Sequence, residues 1–114
     1  MDRIDSYRFG EMRIGGKSYR KDLIIMPDRI IDNWRRKEGH RLAIYDLSQI
    51  TITGIDCIII GTGKFGMMKV DNEVVNYFQK QQIEVIILKT ADAVQKYNEM
   101  FGEKRLSAAF HLTC

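Results

Sequence analysis

The sequence predicts a single three-layer α/β domain, with an N-terminal β hairpin section added to a central mixed sheet and crossover helices. Three observations carry that prediction. Ile55-Asp56-Cys57-Ile58-Ile59-Ile60 is apolar at almost every position, as suits a central strand covered on both faces. A glycine loop, Gly61-Thr62-Gly63-Lys64-Phe65-Gly66, follows it directly. From Ile55 onward the periodicity runs strand, helix, strand, helix, strand, a pattern that favours parallel strands joined by crossover helices.

At 114 residues the chain is the size of one domain, spanning 1–114, with a β-rich section over 1–45 and an αβαβαβ section over 46–114. Its 45% hydrophobic and 29% charged residues, with a single proline, are those of an ordinary globular protein with a packed core. No apolar run approaches the roughly 18 residues needed to cross a bilayer. Met1-Asp2-Arg3-Ile4-Asp5 is charged where a secretory signal needs an apolar stretch, so no membrane contact and a cytoplasmic location are expected. Two cysteines, Cys57 and Cys114, are too few and too differently placed for a disulfide framework.

The elements follow in order. Ile4 to Ile14 alternates in polarity, and Gly15-Gly16 supplies a tight hairpin turn before a return strand from Lys17 to Lys21. Asp22-Leu23-Ile24-Ile25-Met26 is a further apolar strand, stopped by the turn pair Pro27-Asp28. A loop or irregular segment carrying Trp34 leads to a short strand from His40 to Tyr45. Asp46 then caps a brief helix from Leu47 to about Ile52, against which Thr51, Ile52 and Thr53 weigh. Asp71 caps a helix from Asn72 to about Gln81, burying Val74, Val75 and Phe78, and Ile83 to Leu88 is a second buried strand. Thr90 caps a second helix with Ala91, Val94, Tyr97 or Asn98, and Phe101 on its stripe, ended by Gly102. Leu106 to Leu112 closes the sheet.

Few residue patterns carry chemistry. Gly61-x-Gly63-x-x-Gly66 after an apolar strand matches the spelling of a dinucleotide fingerprint, in which glycines let backbone amides approach a pyrophosphate. Two features oppose it: Met67-Met68-Lys69-Val70 separates the third glycine from the Asp71 cap, and the next strand ends in Leu88-Lys89 where an acidic residue should hold the ribose. No cofactor is therefore expected. A weaker site survives, in which Gly61, Thr62, Gly63 and Lys64 hold a small anion, against the plainer reading of a sharp strand-end turn. The net charge of +3 lies toward the N-terminus, densest over Arg35-Arg36-Lys37-Glu38-Gly39-His40-Arg41. Trp34, Arg35, Arg36 and Arg41 are the candidate protein-partner contacts; without interleaved aromatic residues, nucleic acid is not expected there. His111 and Cys114 are two ligands where a metal site needs more, and Cys57 reads as an inert core thiol. Met67 and Met68 read as core filling rather than pocket lining. With no evident nucleophile and base arrangement, catalytic residues cannot be named, and a non-enzymatic role is expected over an enzyme using the loop.

Taken together, Tyr7-Arg8-Phe9-Gly10, Tyr19-Arg20, Asp22-Leu23-Ile24-Ile25, Trp34, Asp46-Leu47, Ile60-Gly61-Thr62-Gly63, Thr90-x-x-Ala93, Tyr97-Asn98, Arg105 and Phe110-His111-x-Thr113-Cys114 make an ordered set. In it the chain resembles a family of small uncharacterised α/β domains that includes an adipogenesis-associated protein and, more distantly, a mitochondrial assembly factor for respiratory complex I. The resemblance implies a three-layer α/β fold with an added β section, and assembly or regulatory binding, through a protein partner or self-association, rather than an established activity or cofactor.

Overall fold

In a computed structural model describing residues 2–114, the apolar run becomes strand β7 (Cys57–Thr62), buried at every position. Before it lie β1 (Ile4–Arg8), β2 (Glu11–Ile14), β3 (Lys17–Tyr19), β4 (Leu23–Ile25), β5 (Ile30–Ile31) and β6 (Arg41–Leu42); after it come β8 (Lys69–Val70), helix α1 (Asn72–Lys80), β9 (Glu84–Leu88), helix α2 (Thr90–Met100) and β10 (Leu106–His111). The central sheet has the order β5-β4-β10-β7-β9. β10 and β9 flank β7 in parallel, while β4 runs antiparallel to β10, so the sheet is mixed.

Alternation along β7 divides the core in two, because successive side chains leave opposite faces of a sheet. Ile58 and Ile60 pack with Val74 and Phe78 of α1 and with Trp34, Leu42 and Leu47. Cys57 and Ile59 pack on the other face, with Ala93 and Tyr97 of α2 and with Met12 and Ile14 of the β1-β2-β3 meander. The meander is clamped to α2 by one side chain: Asn98 donates from Nδ2 to Ile4 O and accepts from Ile4 N on Oδ1, both at 2.8 Å.

Several local expectations are corrected. The helix placed over Leu47–Ile52 is instead a 3₁₀ turn over Ile44–Leu47. Asp46 lies inside that turn, and its carboxylate accepts from the amides of Ala43 and Lys37, fixing the segment one turn earlier than expected. The strand from His40 to Tyr45 shrinks to Arg41–Leu42, paired in parallel with β8. Ile30 and Ile31 form a short strand on β4 within what reads as irregular chain. Lys89, not Thr90, is the N-cap of α2, and Ala93 rather than Ala91 occupies its buried stripe. Asp71 does cap α1 by position, but without a side-chain cap bond. β9 is an edge strand, with Ile87 41% exposed, so it is not the second fully buried strand expected. No helix of the described residues is long and apolar enough to cross a membrane.

Candidate functional site

In open α/β sheets ligands gather at the carboxyl ends of the strands, where connections leave toward opposite faces. Here the chain leaves β7 toward α1 on one face and leaves β9 toward α2 on the other, so that place lies between Thr62-Gly63 and Leu88-Lys89-Thr90. The protein closes it with its own hydrogen bonds. Thr62 Oγ1 donates to Leu88 O at 3.1 Å, Gly63 N donates to Thr90 Oγ1 at 2.8 Å, and Thr90 N donates to Gly63 O at 3.1 Å. The Thr90 hydroxyl in turn donates to His111 O at 2.6 Å.

Most of the remaining amides there are occupied in the same way. Lys64 N donates to Thr113 O, Gly66 N to Gly63 O, Met67 N to Cys114 O and Met68 N to Thr62 O, over 2.7–3.3 Å. Gly63 sits at φ +105°, and a Cβ there would lie 2.3 Å from the Cys114 carbonyl carbon, so the 113–114 segment crosses directly over a position only glycine fits. Of the four residues expected to hold an anion, Gly61, Thr62 and Gly63 are buried, and only Lys64 reaches solvent. In this conformation the loop offers an anion an ammonium group, without the cradle of free amides that phosphate loops use.

What the loop does present is apolar. Phe65 is 63% and Met67 48% exposed, and the ring of Phe9, 51% exposed at the β1–β2 turn, lies 6.4 Å from that of Phe65. Met68 alone of the methionine pair fills the core. These three side chains are half of the six large hydrophobic residues exposed among the described residues, gathered on one end of the sheet.

The basic segment behaves differently from a free patch. Trp34 is buried, with its indole N–H donating to Asp46 O at 2.8 Å. Arg41 is chelated by Asp71 and Glu38, with closest contacts of 2.8 and 2.9 Å, and the paired guanidinium holds the Asp71 carboxyl below its usual range. Arg36 runs inward, its side chain only 4% exposed, to donate to Asp22 Oδ2 at 2.8 Å and to Gly39 O at 2.7 Å. Arg35 is exposed and, among the described residues, free of ion pairs. An open groove of about 490 Å³ runs alongside between 31–37 and 45–49, floored by Trp34, but Asp32 and Asp46 offset the charge of Arg35 and Lys37.

Sequence reasoning does not foresee the cluster that Arg36 joins. Asp22 precedes β4 and His111 ends β10, and the pairing of those strands brings His111 Nδ1 within 2.8 Å of Asp22 Oδ2. The Leu112 amide donates to Asp22 Oδ1 at 2.8 Å. Burial pushes the Asp22 carboxyl up, but hydrogen bonds from His111, Leu112 and Arg36 together outweigh it and hold it below the usual carboxylate range. His111 Nδ1 lies 2.8 Å from Asp22 Oδ2 and 3.1 Å from Arg36 Nη2, while His111 Nε2 is buried with no hydrogen-bond partner, so no nucleophile is bonded to it. A sequence signal exists only in part: an aspartate abutting a fully apolar strand needs a partner, but nothing in the spelling says that His111 and Arg36 supply it.

The DUF498/DUF598 family model matches residues 4–112, nearly the whole chain. The chain belongs to that family of proteins of unknown function. Among solved structures similar to this DUF498/DUF598 chain, a conserved hypothetical protein from Pyrococcus horikoshii superposes with a TM-score of 0.83 at 29% identity, covering 98% of this chain and 99% of that one. A Rhodopseudomonas palustris protein gives 0.77 at 26% identity, over 94% and 80% of the two chains. A Bartonella henselae protein described as an outer membrane protein gives 0.84 over 99% and 96%, and at 22% identity shares the fold alone. The DUF498/DUF598 region of this chain, residues 4–112, thus takes the three-layer arrangement described above.

Proposed function

We propose that this chain is a non-enzymatic, cytoplasmic binding module that engages a protein partner through Phe9, Phe65 and Met67, with Lys64 meeting an acidic group at the rim. The observation that carries the reading is the exposure of Phe65 and Met67 on a loop most of whose amides are bonded internally, with the exposed ring of Phe9 from the β1–β2 turn beside Phe65. A rigid loop loses little conformational entropy on binding, and exposed aromatic residues on such a support are the anchors from which protein interfaces draw most of their affinity. The closed crevice between β7 and β9, and the absence of a nucleophile at His111, fit a binding role better than a catalytic one. The resemblance to an adipogenesis-associated protein and a complex I assembly factor points the same way.

The test is a partner recovered from native cells, identified, purified and titrated against variants. Phe65→Ala combined with Met67→Ala should weaken binding by about 2 kcal/mol or more, roughly thirtyfold, with unchanged thermal stability. Lys64→Ala should cost less, and that cost should shrink as salt rises. A partner held equally well by all three proteins contradicts the proposed face. Stabilisation by a small anion that Lys64→Ala abolishes would instead favour a ligand site at the loop.

A further inference from the structure

The two edges of the central sheet are unlike. β5 is two residues long, and such short strands are one way proteins blunt an edge. β9 has five residues, Glu84-Val85-Ile86-Ile87-Leu88, with no proline, no bulge and no inward charge. Glu84 N donates to Asp56 O, and Leu88 O accepts from Thr62, so the main-chain groups of Glu84, Ile86 and Leu88 face β7. By alternation those of Val85 and Ile87 face outward, without a partner among the described residues. Both halves of the core also run out to this edge: Val85 belongs to the side of α1, Ile86 and Leu88 to the side of α2, and all three are only half-buried.

We infer that β9 pairs antiparallel with β9 of a second copy across a two-fold axis, joining two five-stranded sheets into one. A strand laid along this edge matches in register the donors and acceptors that Val85 and Ile87 leave open. A second copy also matches the side chains, because a two-fold normal to the sheet keeps each face continuous and sets apolar residues against their own kind. Pairing Val85 with Ile87 of the second copy, and the reverse, exchanges both hydrogen bonds at each pair and centres the axis on Ile86. The strand begins at acidic Glu84 and is followed by basic Lys89, so an antiparallel copy brings unlike ends together where a parallel one would bring like ends. Lys104 beside Glu84, at 3.1 Å, lies at the same acidic end in both copies. None of Phe9, Lys64, Phe65 or Met67 takes part, so this pairing and the proposed partner face stand or fall separately.

Sedimentation velocity on the full chain should give a dimer, and Ile87→Lys should give a monomer with unchanged circular dichroism. In a Cys114→Ser background, Ile86→Cys should oxidise to a covalent dimer, since facing Cα atoms of a non-hydrogen-bonded antiparallel pair lie about 4.5 Å apart, within disulfide reach. The cross-link keeps the pairing testable if Ile87→Lys folds poorly. A wild-type monomer at high micromolar concentration overturns the pairing, whether the edge is bare or taken by a foreign strand. So does a dimer that survives Ile87→Lys, or one that fails to cross-link through Ile86→Cys.

Discussion

Gly63 concentrates the design of this chain at a single residue. Its positive φ is open to glycine at little cost, and its missing side chain leaves room for the backbone of Cys114. Gly63→Ala should therefore destabilise the protein by about 3 kcal/mol, positive-φ strain and overpacking combined, as measured by urea unfolding. Gly66→Ala is the internal control. It has φ +70°, but its nearest neighbour is the flexible Lys89 side chain at 3.3 Å, so about 1–2 kcal/mol is expected. The glycines are legible in the sequence as a strand-end turn. That the 113–114 segment lies across one of them is not, because the contact joins residues some fifty positions apart and leaves no local pattern. Cys57 is legible throughout: burial, with the Glu84 charge next, pushes its thiol up to about 11, consistent with an inert core residue.

At the scale of elements, Asp22 ties three separate pieces of chain together: the start of β4, the end of β10 through His111 and Leu112, and the basic segment through Arg36. Its folded pKa lies below the unfolded one, so the unfolded chain takes up the proton first as pH falls. The stability it contributes is present above the ordinary carboxylate range and is lost as pH drops through that range toward the folded pKa. Asp22→Asn should cost about 3 kcal/mol at neutral pH by leaving the Arg36 charge buried without its carboxylate. It should also flatten the acid limb of a stability-against-pH curve measured by denaturant unfolding; a variant with the wild-type acid slope would show that Asp22 does not carry it. The parallel core elements were readable because periodicity is local: β7, α1, α2 and β10 fall within a residue or two of their expected bounds. The segment from 30 to 52 departs from its expected elements for the converse reason. Its conformation is set by bonds that span many positions, from Trp34 and Lys37 to Asp46 and from Arg41 to Asp71, which no short periodic pattern records.

On the scale of the whole molecule, the carboxyl ends of the parallel strands, where α/β proteins commonly bind ligands, are closed by hydrogen bonds from the chain itself, and what faces outward there is Phe9, Phe65, Lys64 and Met67. The sequence shows Lys64 and the glycines and so points to an anion; it cannot show that the amides of Gly63, Lys64 and Met67 are occupied, because their acceptors are Thr90, Thr113 and Cys114. The similar solved structures described above share this fold at 22–29% identity, so the fold tolerates wide change in sequence. The reading of a rigid, internally bonded loop is tested most directly by residue-resolved amide hydrogen exchange. The amides of Gly63, Lys64, Met67 and Met68 should be protected to the same degree as those of β7 and β10. Exchange as fast as in the exposed 35–40 segment would mean that these amides are free to meet a ligand, and would contradict it.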